Sequence, residues 1–139
     1  MEIREVDSKK NQEMLSTLLE NYSQSQNKNI PVYEKKEISL AAYDGATFLG
    51  GITGEIFWNH LHVSLLAIHP DNQKGGVGSR LLEQIELIAR ENNCTLILLE
   101  TMSWQAPKFY PKHGYTLFGT VEDYPIKGEA QYSFQKRLS

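Results

Sequence analysis

Apolar positions along the chain fall into short runs, and the spacing within each run marks an element. Residues 2–6 alternate as a short strand would. Asp7 or Ser8 then caps a helix in which Met14, Leu15, Leu18 and Leu19 stand at helical spacing among polar residues. Residues 21–31 are rich in Ser, Gln and Asn and end in Pro31, which reads as a loop or a frayed second helix. Residues 37–43 and 46–58 are strand-like runs on either side of Asp44-Gly45, a pair that tolerates positive φ and so closes hairpins. Asn59 and His60 make a looser turn into a further antiparallel run, 61–68. Pro70 ends it, because proline cannot donate to a sheet ladder.

Past Pro70 the pattern changes. Residues 71–79 form a polar, glycine-rich loop, and 80–93 an amphipathic helix with Leu81, Leu82, Ile85, Ile88 and Ala89 on one stripe. Residues 95–100 are a short apolar strand of the kind buried on both faces. This strand–helix–strand succession predicts a parallel pair with a right-handed crossover. A short helical segment over 106–113 ends at Gly114, a left-handed cap. Residues 115–120 and 131–138 form the last hairpin, joined through 125–128. The order predicts an α/β chain of the α+β type.

Composition narrows this reading. A length of 139 residues is that of a single domain, taken as 1–139, and 40% hydrophobic with 22% charged residues describes a globular chain rather than a disordered one. The single cysteine, Cys94, excludes an internal disulfide framework, fits a reducing cytosol and reads as an inert packing residue. A net charge of −3 argues against a nucleic-acid partner. The first residues carry charges where a signal peptide needs an apolar stretch, and the longest apolar runs, 65–68 and 96–99, are too short for a bilayer. The expectation is a cytoplasmic protein without a membrane partner; a homodimer is compatible with the sequence.

The chemically informative segment is Gln73-Lys74-Gly75-Gly76-Val77-Gly78-Ser79. Small residues let a backbone approach a ligand, and the helix that follows offers unpaired N–H groups and the positive end of its dipole to phosphate. A Walker A loop is excluded, since no Lys-Ser or Lys-Thr follows these glycines. A dinucleotide fingerprint is excluded as well: Leu81 stands where the third glycine belongs, and the preceding strands are antiparallel.

Gln73-x-x-Gly76-x-Gly78, placed after Ile68-His69-Pro70 and opening a helix, resembles motif A of the GNAT superfamily, the general N-acetyltransferases. Ala106-Pro-Lys-Phe109-Tyr110-Pro-Lys-His-Gly114-Tyr115 is similar to that family's A-x-x-[LF]-Y-x-K-x-G-[FY] segment, at the right distance downstream. The resemblance covers residues 38–138 closely. It implies a mixed, mostly antiparallel sheet with flanking helices, whose two central parallel strands, here 61–68 and 95–100, splay to admit the pantetheine arm of acetyl-CoA. Backbone groups of Leu66, Ala67 and Ile68 would pair with pantetheine as an added strand does. Gln73, Lys74, Gly75, Gly76, Val77, Gly78 and Ser79 would cradle the pyrophosphate; Lys74 and Arg80 add charge there or are solvated surface cations. Tyr110 matches the general acid that protonates the departing thiolate, a task suited to a hydroxyl with a pKa near ~10.

The base stays open among Glu55, His60, His62 and an ordered water; His62 has the intrinsic pKa for a proton shuttle. His60 and His62 lack a third ligand, so no metal is expected. Two positions depart from the family pattern. Ser103 replaces the Asn often found before the second motif, which weakens a contact to CoA, and Pro111 shortens or kinks the segment that carries Tyr110. The activity implied is acetyl transfer from acetyl-CoA to the primary amine of a small molecule or peptide, by direct attack in a ternary complex. The alternative is a non-catalytic CoA-binding sensor or interaction module on the same fold. Tyr22, Tyr33, Trp58, Trp104 and Tyr124, with Glu55, Glu122 and Asp123, are candidates to line an acceptor cleft.

Overall fold

A computed structural model describes residues 1–26, 28–73 and 75–138. The chain divides into two compact units, Met1–Tyr33 and Glu34–Ser139. The first carries one helix, α1, Ser8–Ser25, whose N-terminus is capped by the Asp7 carboxylate accepting the Lys10 amide at 3.0 Å. The strand expected over 2–6 does not form. Ile3 and Val6 are an odd number of residues apart, so an extended chain would place them on opposite faces with no single apolar side to pack. The helix runs on into the segment expected as a loop or a frayed second helix. Gln24 donates to Glu20 one turn earlier at 3.1 Å and Ser25 Oγ to the Tyr22 carbonyl at 2.6 Å, so polar side chains bond along this turn.

The second unit is a six-stranded sheet with β1 Lys35–Asp44, β2 Thr47–Phe57, β3 His60–Ile68, β4 Leu96–Met102, β5 Thr116–Glu122 and β6 Ala130–Arg137. The strand order is β1-β2-β3-β4-β6-β5, antiparallel throughout except for the parallel pair β3–β4. The first hairpin turns on Gly45 and Ala46, one residue later than expected, with Gly45 at φ 60°. Helix α2, Val77–Glu91, joins β3 to β4 and starts three residues before the expected Arg80, because Gly76 takes the left-handed conformation that ends the loop. Leu81, Leu82, Ile85 and Ala89 of α2 form the core with Ile52, Leu61, Ile97 and Leu99 of the sheet. The short helix expected over 106–113 is two 3-10 turns, Pro107–Phe109 and Pro111–His113. Pro111 has no N–H to continue the first turn, and Gly114 closes the second at φ 87°.

One polar cluster lies within this core. The Glu86 carboxylate on α2 accepts the Tyr115 hydroxyl at 2.9 Å and the Lys136 ammonium at 2.8 Å. It ties helix, 3-10 turns and β6 together and leaves neither carboxylate oxygen unpaired.

Candidate active site

The parallel ladder between β3 and β4 is short. It runs from His60↔Leu96 to Val63↔Leu99 and stops. Beyond that point β3 stays paired to β2 as far as Ile68↔Gly50, and β4 stays paired to β6 as far as Met102↔Gln131. The sheet therefore opens in its middle. The cause is visible in the β2–β3 register, where Gly54 faces Val63 but Thr53 faces Leu65, so Ser64 is an extra residue. Such a bulge bends its strand and increases the local twist, which turns the second half of β3 away from β4. Leu66, Ala67 and Ile68 lie on this half, where alternate backbone groups have no partner on the β4 side.

The glycine loop begins where β3 ends. After the 3-10 turn Pro70–Asn72 comes Gln73, and the Gly75 amide bonds the Asn72 carbonyl at 3.2 Å. Gly76 follows at φ 76°, and its carbonyl accepts the Arg80 amide at 3.1 Å to start α2. The amides of Val77, Gly78 and Ser79 thus belong to the first helical turn, which has no carbonyls to satisfy them. A Cβ at Gly78 would stand 3.4 Å from the Phe109 ring and 3.6 Å from Ile68, so the helix start is packed between the end of β3 and the Tyr110 segment. Ser79 Oγ and His113 Nε2, 3.1 Å apart, make a second link between loop and segment. Lys74 lies outside the described residues. Arg80 lines a cavity of about 730 Å³ on the flank between α2 and the first hairpin, together with Tyr43, Leu49 and Arg90.

Tyr110 stands between the two 3-10 turns. Its ring is buried against Phe109, Tyr115 and Phe134, with centroids at 5.2, 5.8 and 5.7 Å. Phe134 is the register partner of Leu99, the last β4 residue paired to β3, which puts Tyr110 beside the vertex of the opening on the α2 side of the sheet. Burial pushes its hydroxyl above the usual tyrosine pKa. Among the described residues that hydroxyl has no hydrogen-bond partner, and no sealed-in polar side-chain atom is left unpaired, so it reaches solvent.

The other face of the sheet carries the candidate bases. Glu55 and His62 are direct register partners on β2 and β3, alternating with the buried Ile56 and Leu61. His62 Nε2 lies 2.9 and 3.1 Å from the two oxygens of Glu100, the first β4 residue past the end of the parallel ladder. Glu55 is 3.9 Å from Lys35, and His60 stacks on Phe57. Sequence reasoning missed Glu100, which read as the end of an apolar strand; only the parallel register puts it beside His62. It also missed His113, a variable position of the second motif. The Ser103 hydroxyl donates to Glu129 and accepts the Ala130 amide at 2.9 Å, so it fastens β4 to β6. Trp58 turns the β2–β3 hairpin, at the end of β3 far from the opening, while Tyr22 and Tyr33 belong to the first unit. Among the described residues no three His, Cys, Asp or Glu side chains cluster as metal ligands, and no helix is long and apolar enough to cross a membrane.

Known proteins share this fold. The family model for the acetyltransferase (GNAT) domain matches residues 34–117. Blasticidin-S acetyltransferase of Streptomyces morookaense is 36% identical over 100 residues, or 68% of this chain and 74% of that protein. The crystal structure of an acetyltransferase from Bacillus cereus is similar with a TM-score of 0.83 at 37% identity, over 99% of this chain and 98% of its own. An aminoglycoside 6'-N-acetyltransferase crystallised with coenzyme A shares the fold, with a TM-score of 0.68 at 16% identity over 100% of this chain and 98% of that one. The chain therefore has the α/β fold of these enzymes and belongs to the GNAT superfamily as an acetyltransferase.

Proposed function

We propose that the protein transfers the acetyl group of acetyl-CoA to a primary amine by direct attack within a ternary complex. The observation that carries this reading is the convergence of three features at one place: the opening between β3 and β4, the first turn of α2, and the Tyr110 hydroxyl. The residues present fit acetyl-CoA. Unpaired backbone on Leu66, Ala67 and Ile68 suits an extended amide-bearing arm, and the first-turn amides of Val77, Gly78 and Ser79 suit a pyrophosphate. Bound acetyl-CoA supplies a thioester carbonyl activated towards a free amine. Tyr110, protonated at neutral pH, gives its proton to the sulfur that leaves. His62, on the opposite face, takes a proton from the acceptor ammonium; Glu55 across the ladder, His60 and an ordered water are the other candidates for that step.

The acceptor proposed is a small-molecule or peptide amine with positive charge, since Glu55 and Glu100 make this face acidic. The relative at 36% identity is named for blasticidin S, which makes that compound the first to try. The test is CoA release from acetyl-CoA with a panel of primary amines that includes blasticidin S. Tyr110→Phe is expected to bind acetyl-CoA as the wild type does and to lower kcat by about 10²-fold, the low end for general acid–base catalysis. An unchanged kcat with chemistry rate-limiting removes Tyr110 from the reaction.

A further inference from the structure

We propose that Glu100 is a positioning residue for the transfer: it holds the His62 imidazole as the Nε2–H tautomer, so that Nδ1 carries the lone pair that takes the acceptor's proton. The inference rests on the reading of His62 as the base. Both Glu100 oxygens lie within hydrogen-bond reach of the same His62 nitrogen, at 2.9 and 3.1 Å. An ionised carboxylate has no proton to donate, so Nε2 is the nitrogen that carries the hydrogen. In neutral imidazole the other nitrogen is then the acceptor, and the tautomer is set by this bond. The proton moves from the acceptor ammonium to Nδ1 and from there to solvent, and Glu100 exchanges no proton in the step.

The placement of the pair argues for a role in the reaction. His62 is the last residue but one of the parallel ladder on β3, and Glu100 is the first residue past it on β4. The pair therefore bridges the two strands where they part. Its side chains are 31% and 38% exposed, and a pair so open to water adds little to stability. The other charged groups around His62 are accounted for. Glu55 lies across the ladder on β2, 3.9 Å from Lys35 of β1, which also lies 3.6 Å from Glu37. His60, two residues earlier on β3, stacks on Phe57. Glu86 of α2 is paired with Tyr115 and Lys136 in the core. Among the described residues, Glu100 is thus the carboxylate that bonds the imidazole.

The experiment compares the full-length wild type with E100Q, E100D, H62A and H62A/E100Q. The nitrogen spectrum of the His62 ring at neutral to alkaline pH reads the tautomer without any acceptor. The wild type should show Nε2–H, and E100Q should show a mixture or Nδ1–H. In the transfer assay, with blasticidin S or the best acceptor in the panel, E100Q should lower kcat/KM by about tenfold or more, part of the total a base supplies. E100D should recover part of it, and acetyl-CoA affinity and Tm should not change. In the H62A background E100Q should cost nothing further, because Glu100 acts through His62. A wild-type ring that is not Nε2–H, or an E100Q loss that persists beside H62A, overturns the proposal while leaving the base in place. An H62A variant with wild-type kcat/KM instead overturns the base assignment, and the proposal with it.

Discussion

Replacing Lys136 with Met isolates the polar cluster that supports the Tyr110 segment. The wild-type Glu86 side chain is 7% exposed and each of its oxygens has one partner, Tyr115 at 2.9 Å and Lys136 at 2.8 Å. Lys136 also lies 5.5 Å from the centre of the Tyr115 ring. Lys136→Met keeps the chain length, removes the counter-charge and leaves a buried carboxylate with one hydrogen bond. Removing one partner of a buried pair costs about 3–5 kcal/mol, and because Lys136 is 22% exposed the lower end, about 3 kcal/mol, applies. For a chain of 139 residues each kcal/mol moves Tm by roughly 3–5 °C, so thermal unfolding followed by circular dichroism should show a fall of about 10 °C. The same logic predicts a rescue. The triple variant Lys136→Met, Glu86→Leu, Tyr115→Phe removes every polar member together, and its Tm should return to within about 5 °C of wild type, since apolar replacement of a whole buried pair is often neutral. A Lys136→Met variant that melts with the wild type would refute the reasoning, because it would show that the Glu86 carboxylate does not depend on its counter-charge.

Other outcomes follow from the site. Gly76→Val forces a β-branched residue to φ 76°, at a cost of about 1–3 kcal/mol, and should weaken acetyl-CoA binding measured by calorimetry in the presence of chelator. Gly78→Leu should also weaken it: a Cβ there already touches the Phe109 ring at 3.4 Å and Ile68 at 3.6 Å, so the rest of the leucine side chain has to displace them at the helix start. His113→Ala cuts the bond to Ser79 and should raise KM for acetyl-CoA more than it lowers kcat, as read from initial rates. If His62 is the base, the ascending limb of kcat/KM against pH should vanish in His62→Ala and persist in Glu55→Gln; the reverse result assigns the proton to Glu55.

The sequence carried those parts of the fold that depend on local pattern. The α2 stripe from Leu81 to Ala89, the β1–β2 hairpin and the glycine loop all follow from spacing or turn chemistry, and their observed limits shift by only a few residues. Where a left-handed glycine set the boundary, at Gly76, periodicity alone placed the helix start too late. The 2–6 segment misled because a strand exists only with a partner, and five residues do not reveal whether one is there. The bulge at Ser64 was illegible, since it is a property of the β2–β3 register. Glu100 was illegible for the same reason: it is far from His62 in sequence and meets it through a parallel pairing that no single sequence encodes locally.

The central claim is that acetyl-CoA lies in the opening between β3 and β4 with its sulfur at Tyr110. A crystal structure of the protein with CoA tests it most directly. The account predicts pantetheine amides bonded to backbone groups of Leu66, Ala67 and Ile68, the pyrophosphate on the amides of Val77, Gly78 and Ser79, and the thiol at hydrogen-bond distance from the Tyr110 hydroxyl. CoA bound instead in the cavity between α2 and the first hairpin, lined by Tyr43, Arg80 and Arg90, with the β3–β4 opening empty, would contradict it.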